Sequence, residues 1–173
     1  MDEQNRKALT DRIREYLMEK RSTFAEHNGF FAYDREDVGM KILGEPGKID
    51  MSINVIGEDR YQFEICLGPI LPPGDFRESG MMKLAAIITD TLFTMKAWYN
   101  GQDGIFYAGA NFDTAEGLPS LEVLKKREDA LVKEFGYCES SINAVLRGMR
   151  AEDAALDILK KSGNYECHWL DQG

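Results

Sequence analysis

The histidines and cysteines are the residues of this sequence with the most potential for metal or nucleophilic chemistry, and the chain has only two histidines and three cysteines. His27 lies in a His-Asn-Gly turn that predicts a helix end, where a solvated or capping role is favoured over catalysis. Cys167 and His168 are adjacent, and adjacent side chains rarely suit one tetrahedral metal site unaided. Cys66 is far away in the sequence. The spacing therefore predicts no metal site.

Carboxylate pairs are a second potential source of chemistry, because two acids can serve as general acid and general base. Examples are Glu36-Asp37, Glu58-Asp59 and Glu152-Asp153. In a chain with 30 acidic residues, carboxylates in turns and in first helical turns are more often solvated than catalytic. The sequence also lacks the nucleophile elbow, the phosphate-binding loop and the glycine-rich dinucleotide motif. We therefore predict no catalytic residues, no cofactor and a protein that is not an enzyme.

Length and composition predict an acidic protein with one ordinary core. The chain has 173 residues, of which 43% are hydrophobic, and a formal net charge of -9. Because a phosphate backbone is bound by clustered lysine and arginine, this charge argues against a nucleic-acid partner. No apolar run approaches the roughly 18 residues of a membrane span, and the N-terminus is polar where a signal peptide is apolar. With its odd number of widely spaced cysteines, the sequence predicts a cytoplasmic protein without a membrane partner.

The element expected to organise the fold is a long apolar helix from Met81 to Tyr99, stopped by Asn100-Gly101. At about 100° per residue, most of its apolar side chains form one stripe roughly 160° wide, which is broad enough to lie across a sheet. The stripe contains Met81, Leu84, Ala85, Ile87, Ile88, Leu92, Met95, Trp98 and Tyr99. A second, narrower row contains Met82, Ala86, Phe93 and Ala97. A helix with two apolar rows is expected to have two neighbours.

The narrow row has two interpretations. In the ordinary one it packs against another helix of the same chain, and in the other it meets a partner subunit. Small residues between large ones let two helices approach closely, and methionine and aromatic side chains are common at protein interfaces. Both interpretations stay open, and Met82, Ala86, Phe93 and Ala97 are the candidate partner-binding residues.

The elements before the central helix follow from periodicity and from turn residues. A helix is predicted from Asp2 to about Glu26, with Asn28-Gly29 as its stop. A less regular stretch from Phe30 to Leu43 is expected to contain a further strand. Alternating apolar and polar residues then predict two strands with one buried face, at Ile49 to Val55 and at Tyr61 to Leu67.

The elements after the central helix are a strand near Gly104 to Ala110, a helix opened by Pro119, and two shorter helices. The shorter helices are expected around Ser140 to Met149 and around Glu152 to Lys161. We therefore predict an α+β fold with an antiparallel sheet of about four or five strands packed against long helices. The order is a helix, three strands, a helix, one or two strands, and helices. Residues 1–173 are expected to form a single domain, with a core at about 2–149 and a helical C-terminal extension at about 150–173.

This order of elements resembles the fold shared by type III secretion chaperones and by the YbjN family of proposed bacterial sensory-transduction regulators. The resemblance covers roughly Asp2 to Met149 and is one of order and spacing, without a diagnostic motif. It implies a non-enzymatic, usually dimeric, acidic cytoplasmic protein that binds other proteins, with no catalytic residues to carry over. Two features depart from that fold. One strand is predicted between the central helix and Pro119 where the fold has two, and the segment from Glu152 onward is additional.

The sequence thus favours a protein-binding module, chaperone-like or regulatory, that acts as a homodimer. Two alternatives stay open. One is a small enzyme or ligand-binding protein with a pocket between the sheet and the central helix, near Trp98, Tyr99 and Tyr107. The other is an acidic inhibitor, of the immunity-protein type, that caps a basic protein one to one. A buried two-fold contact without a polar cleft would favour the dimeric module, and a deep pocket with convergent polar groups would favour the enzyme or ligand binder.

Overall fold

The computed structural model describes residues 2–163, apart from the side chain of Asp2. In that range the helices are α1 (Asp2–Glu19), α2 (Glu78–Thr91), α3 (Leu121–Gly136), α4 (Glu139–Leu146), α5 (Ala151–Ala154) and α6 (Leu156–Ser162). The strands are β1 (Phe24–His27), β2 (Phe30–Tyr33), β3 (Lys41–Ile42), β4 (Glu45–Pro46), β5 (Ile49–Ile56), β6 (Arg60–Leu67), β7 (Lys96–Asn100) and β8 (Ile105–Asp113). None of these helices is long and apolar enough to cross a membrane.

The main sheet has six strands in the order β1-β2-β5-β6-β8-β7, and every neighbouring pair is antiparallel. A separate two-stranded sheet is formed by β3 and β4. The predicted alternation is present in β6, where the odd-numbered side chains from Tyr61 to Leu67 are buried and the even-numbered ones are half-buried or exposed. The predicted α+β fold with an antiparallel sheet is confirmed, and the main sheet is larger than the four or five strands expected.

Helices cover one face of the main sheet. Leu9 and Ile13 of α1 and Leu124 and Leu131 of α3 belong to the same buried cluster as the inward-facing side chains of the strands. Full burial of one such side chain contributes roughly 1.5 to 3 kcal/mol to stability. Within residues 2–163, the second face carries side chains that are mostly half-buried or exposed, and we call it the uncovered face. α2 lies beside β7 at the edge of the sheet and also contacts α4 and α5.

The predicted central helix is correct at its start and wrong from Leu92 onward. α2 ends at Thr91, and Leu92 has extended backbone angles (φ -86°, ψ 149°). The chain then forms β7, where Trp98 pairs with Tyr107 and Tyr99 pairs with Phe106 of β8. Pairing with β8 gives these residues ladder hydrogen bonds and cross-strand aromatic contacts, which a longer helix would lose. Asn100-Gly101 is therefore the start of the β7–β8 turn and not a helix stop.

β7 is the second strand that the prediction missed between the central helix and Pro119. β7 and β8 are two strands between α2 and Pro119, as in the fold that the order of elements resembles. The predicted strand at Gly104 to Ala110 is one continuous strand, Ile105–Asp113.

The first helix is also shorter than predicted, since α1 ends at Glu19 instead of about Glu26. Asn28 and Gly29 have positive φ angles (47° and 83°) and join β1 to β2 as a two-residue hairpin loop. An Asn-Gly pair suits both a helix C-terminus and this kind of hairpin turn, so its local sequence does not distinguish them. Phe24 belongs to β1, where it is paired with Tyr33.

The C-terminal helices follow the prediction more closely. Pro119 precedes α3, and the Ser120 hydroxyl caps this helix by accepting a hydrogen bond from the Val123 amide at 3.1 Å. The helix expected around Glu152 to Lys161 is divided into α5 and α6, and Gly163, with φ 72°, caps its end. The predicted tail from Asn164 to Gly173, with Cys167 and His168, lies outside the described residues.

Candidate functional site

The four candidate partner-binding residues do not form one helical row. Met82 and Ala86 are exposed on α2, one turn apart. Phe93 lies after the end of α2 and is 100% exposed. Ala97 lies in β7, is half-buried and packs against the core. Because α2 ends at Thr91, only Met82 and Ala86 of the four residues lie on a helix.

Phe93 stands at the rim of a cavity of about 510 Å³, which we call the Phe93 groove. Its walls come from the α2–β7 connection and from the second half of α3. They comprise Thr91, Leu92, Phe93, Thr94, Ala130, Lys133, Glu134, Tyr137, Ser162 and Gly163. The Thr94 amide donates a hydrogen bond to the Glu134 carboxylate (2.9 Å to Oε2), which fixes the α2–β7 connection against α3.

The Phe93 groove offers shape and apolar surface. Among its described lining residues, Glu134 has the one carboxylate, which accepts a backbone hydrogen bond, and Lys133 has the one cationic side chain. Leu92, Phe93 and Tyr137 supply apolar and aromatic surface of the kind that receives a side chain from another molecule.

The uncovered face carries an aromatic pair that the sequence did not predict. Trp98 and Tyr107 are stacked with ring centroids 5.1 Å apart and planes 4° apart. The Tyr107 hydroxyl donates to Asp103 Oδ2 at 2.8 Å, and this hydrogen bond raises the pKa of Tyr107 to about 12. Tyr107 is therefore neutral at physiological pH. Its hydrogen bond to Asp103 also fixes the orientation of the Tyr107 ring, on which Trp98 stacks.

Trp98 and Tyr99, which the sequence suggested could line one pocket with Tyr107, lie on opposite faces of the sheet. Successive side chains of a strand point to opposite faces, so Trp98 lies on the uncovered face while Tyr99 is buried on the other. Beneath the sheet edge, Met81 and Ile88 of α2 are fully buried in the same cluster as Tyr99. This interface is packed with side chains.

Among the described residues, the environments of Cys66 and Cys138 disfavour thiol chemistry. The Cys66 thiol donates to Glu64 Oε1 at 3.4 Å, and burial raises the pKa of Cys66 to about 12, so little nucleophilic thiolate is present at neutral pH. Burial also raises the pKa of Cys138. His27 is exposed in β1. Within residues 2–163, no group of three or more His, Cys, Asp or Glu residues is placed to hold a metal ion.

A buried carboxylate is the most unusual polar feature of the described residues. Glu128 of α3 is 0% exposed and accepts hydrogen bonds from Lys20, Tyr33 and Arg35. The sequence contained a signal for it, because Glu128 interrupts an apolar stripe of α3 at helical spacing from Leu124. An ionised group in such a stripe is buried only when partners satisfy it.

Comparison with known proteins supports the fold. No protein-family model matches the chain, and no curated protein matches it in sequence. The structure is similar to the crystal structure of YbjN, a proposed transcription regulator from E. coli, with a TM-score of 0.50 and 15% sequence identity. The similarity covers 70% of this chain and 84% of the YbjN chain. The chain therefore has a YbjN-like fold.

Proposed function

We propose that this protein is a non-enzymatic protein-binding module, chaperone-like or regulatory, that acts as a cytoplasmic homodimer. The observation that carries the proposal is Phe93, a large aromatic side chain that is 100% exposed at the rim of an apolar groove. The YbjN-like fold supports it, because YbjN is itself a proposed transcription regulator.

Exposing an aromatic side chain to water is unfavourable, and covering it stabilises an assembly by roughly 1.5 to 3 kcal/mol. Met82 and Ala86 are two further exposed apolar side chains, one turn apart on α2. Methionine adapts its shape to a partner, and alanine lets a partner helix approach closely. We therefore retain Met82, Ala86 and Phe93 as the proposed partner-binding surface, and leave out Ala97 because it packs against the core.

Light scattering on the purified chain tests the homodimer. We expect the wild-type protein at micromolar concentration to have about twice the 19.6 kDa chain mass, and Phe93→Glu to reduce this mass to that of one chain. A buried carboxylate without a partner opposes association strongly. Phe76→Glu is the matched control, because Phe76 is 84% exposed but does not line the Phe93 groove. A wild-type mass that stays at one chain on concentrating would refute the homodimer.

A second candidate function is favoured by the net charge of -9, which attracts a basic partner over long range. In this case the protein is an acidic inhibitor that remains monomeric and caps one basic protein. Scattering distinguishes the two, because the inhibitor gives a single-chain mass alone and a one-to-one complex with its target. We expect its association rate to fall steeply as salt is added.

A further inference from the structure

The ammonium group of Lys20 lies in a cage built from two tyrosine rings and one carboxylate. Its Nζ atom is 2.5 Å from Glu128 Oε1, 5.1 Å from the centroid of the Tyr16 ring and 5.5 Å from the centroid of the Tyr33 ring. Aromatic faces attract cations at such distances, and rings combined with a carboxylate are the arrangement by which proteins recognise ammonium ligands. We call these groups the Lys20 cage.

The cage is held in place without help from Lys20. The Tyr33 hydroxyl donates to Glu128 Oε2 at 2.5 Å, and Arg35 donates to Oε1 at 2.5 Å. Arg35 is itself oriented by Asp37 at 2.6 Å and by Asp129 at 2.9 Å. Because these contacts fix the carboxylate from several sides, removing the Lys20 side chain should leave the rings and the carboxylate close to their places.

The cage borders a cavity through which a ligand can enter. The Tyr16 hydroxyl is buried and interacts with the nearby Glu128 carboxylate, but within residues 2–163 it makes no hydrogen bond of ordinary geometry. Burial raises the pKa of Tyr16 and of Tyr33, so both rings are neutral. Tyr16 and Lys20 line a cavity of about 660 Å³ that opens beside the cage. Its other charged lining residues are Arg21, Asp34, Arg35, Glu36, Asp37, Lys125 and Asp129.

Lys20 is placed so that its side chain can leave without disturbing a helix. α1 ends at Glu19, and Arg21 has a positive φ of 57°, so Lys20 belongs to the turn that follows the helix. Its side chain is 24% exposed and lines the cavity, which is the space into which we expect it to withdraw. The buried partner Glu128 stays behind.

We propose that the Lys20 cage is an ammonium-binding site whose resident ligand is the chain's own Lys20, and that it accepts a lysine side chain from a basic partner when Lys20 withdraws. The net charge of -9 favours such a partner at long range. Lys20 then acts as an internal competitor and lowers the apparent affinity of the cage for the partner's lysine. This proposal does not depend on the Phe93 groove or on dimerisation.

The test uses n-butylammonium, which has the shape and charge of a lysine side chain, on the full chain and on Lys20→Ala. We expect the variant to be folded but less stable than wild type. We expect n-butylammonium to raise its melting temperature by several degrees and to bind it at least about tenfold more tightly than it binds wild type. Neutral n-butanol should give no such shift, because it lacks the charge.

A further variant and a refolding experiment keep the proposal falsifiable. Lys125→Ala empties another cation position on the same cavity, where Lys125 pairs with Asp129 at 2.8 Å, and should show no response to n-butylammonium. If Lys20→Ala does not fold alone, it is refolded with n-butylammonium or with n-butanol, and we expect the folded circular dichroism spectrum to return with the cation only; no recovery with the cation would count against the site. The site would be overturned if n-butylammonium raised the melting temperature of Lys125→Ala as much as that of the Lys20 variant. It would also be overturned if n-butylammonium and n-butanol raised the melting temperature of the Lys20 variant equally.

Wild-type exchange is tested by titrating a short lysine-containing peptide into the unmodified protein and following the Tyr16 and Tyr33 ring signals by nuclear magnetic resonance. We expect these signals to move, and a peptide with glutamine in place of lysine to leave them unchanged. Ring signals that do not move at peptide concentrations that saturate the Lys20→Ala variant would mean that Lys20 is a permanent internal ion pair. The partner site would then be withdrawn.

Discussion

Ile88 and Phe93 are close in sequence and opposite in environment. Ile88 is 0% exposed between α2 and the sheet, whereas Phe93 is 100% exposed beyond the end of α2. A substitution at each position therefore tests a different property, the packing of the core at Ile88 and the binding surface at Phe93.

Replacing Ile88 by Ala should lower the free energy of unfolding by roughly 2 to 5 kcal/mol, because it removes buried methyl and methylene groups and leaves a cavity. Urea-induced unfolding followed by circular dichroism gives the value. Asp90→Ala on the exposed side of the same helix is the matched control and should change stability by less than about 0.5 kcal/mol. A loss below about 1 kcal/mol for Ile88→Ala would contradict its place in a packed core.

Glu64 should make the protein less stable as the pH rises. Burial raises the pKa of Glu64 above its ordinary value of 4.5, so the folded state keeps this proton to higher pH than the unfolded chain does. The free energy of unfolding therefore falls as the pH rises from about 4.5 through the folded-state pKa. Glu64→Gln should remove this part of the pH dependence and make the protein more stable than wild type at neutral pH.

The measurement is urea unfolding at a series of pH values from about 4 to 7. Glu58→Gln removes the same formal charge from an exposed turn and serves as the control. A Glu64→Gln profile with the same slope as wild type would show that the half-buried position of this carboxyl does not affect stability.

At the scale of elements, the sequence predicted what local periodicity determines and missed what long-range pairing determines. Strands β5 and β6 and the start of α2 follow alternation or helical spacing, and each was placed closely. Trp98 and Tyr99 have helical spacing relative to Ile88, yet their partners Tyr107 and Phe106 hold them in a strand. The sequence did not predict the Phe93 groove either, because its α3 wall is distant in sequence from Phe93. Nor did it predict which residues donate hydrogen bonds to Glu128, because Lys20, for example, is distant from it in sequence.

The Thr89 hydroxyl makes two of the hydrogen bonds that join α2 to β7. Thr89 Oγ1 accepts a hydrogen bond from the Ala97 amide at 2.9 Å and donates to the Ala97 carbonyl at 3.0 Å, which covers part of the free edge of the sheet. Thr89→Val removes both hydrogen bonds, and we expect a loss of about 1 to 3 kcal/mol. Hydrogen exchange at the Ala97 amide should become faster. Thr89→Ser keeps the hydroxyl and should retain most of the protection, and equal effects of the two substitutions would contradict this role.

At the scale of the whole molecule, two surfaces are available for assembly. The Phe93 groove is small and apolar, and the uncovered face is broad and carries the stacked Trp98 and Tyr107 among polar side chains. Core packing does not explain the exposed aromatic side chains of the two surfaces, because Phe93 and Trp98 lie outside the buried cluster. The homodimer proposed above uses the groove.

Association and stability are linked in a homodimer whose chains separate on unfolding, so the melting temperature of the wild-type protein should rise with protein concentration. Phe93→Glu should remove this concentration dependence while preserving the circular dichroism spectrum, because a fully exposed side chain contributes nothing to the packing of the single chain. Trp98→Glu places the same charge on the uncovered face and should keep the concentration dependence. Calorimetry over about a hundredfold range of concentration separates these outcomes. If Trp98→Glu abolishes the dependence and Phe93→Glu does not, the chains associate through the uncovered face, and the assignment of Met82, Ala86 and Phe93 to the interface is wrong.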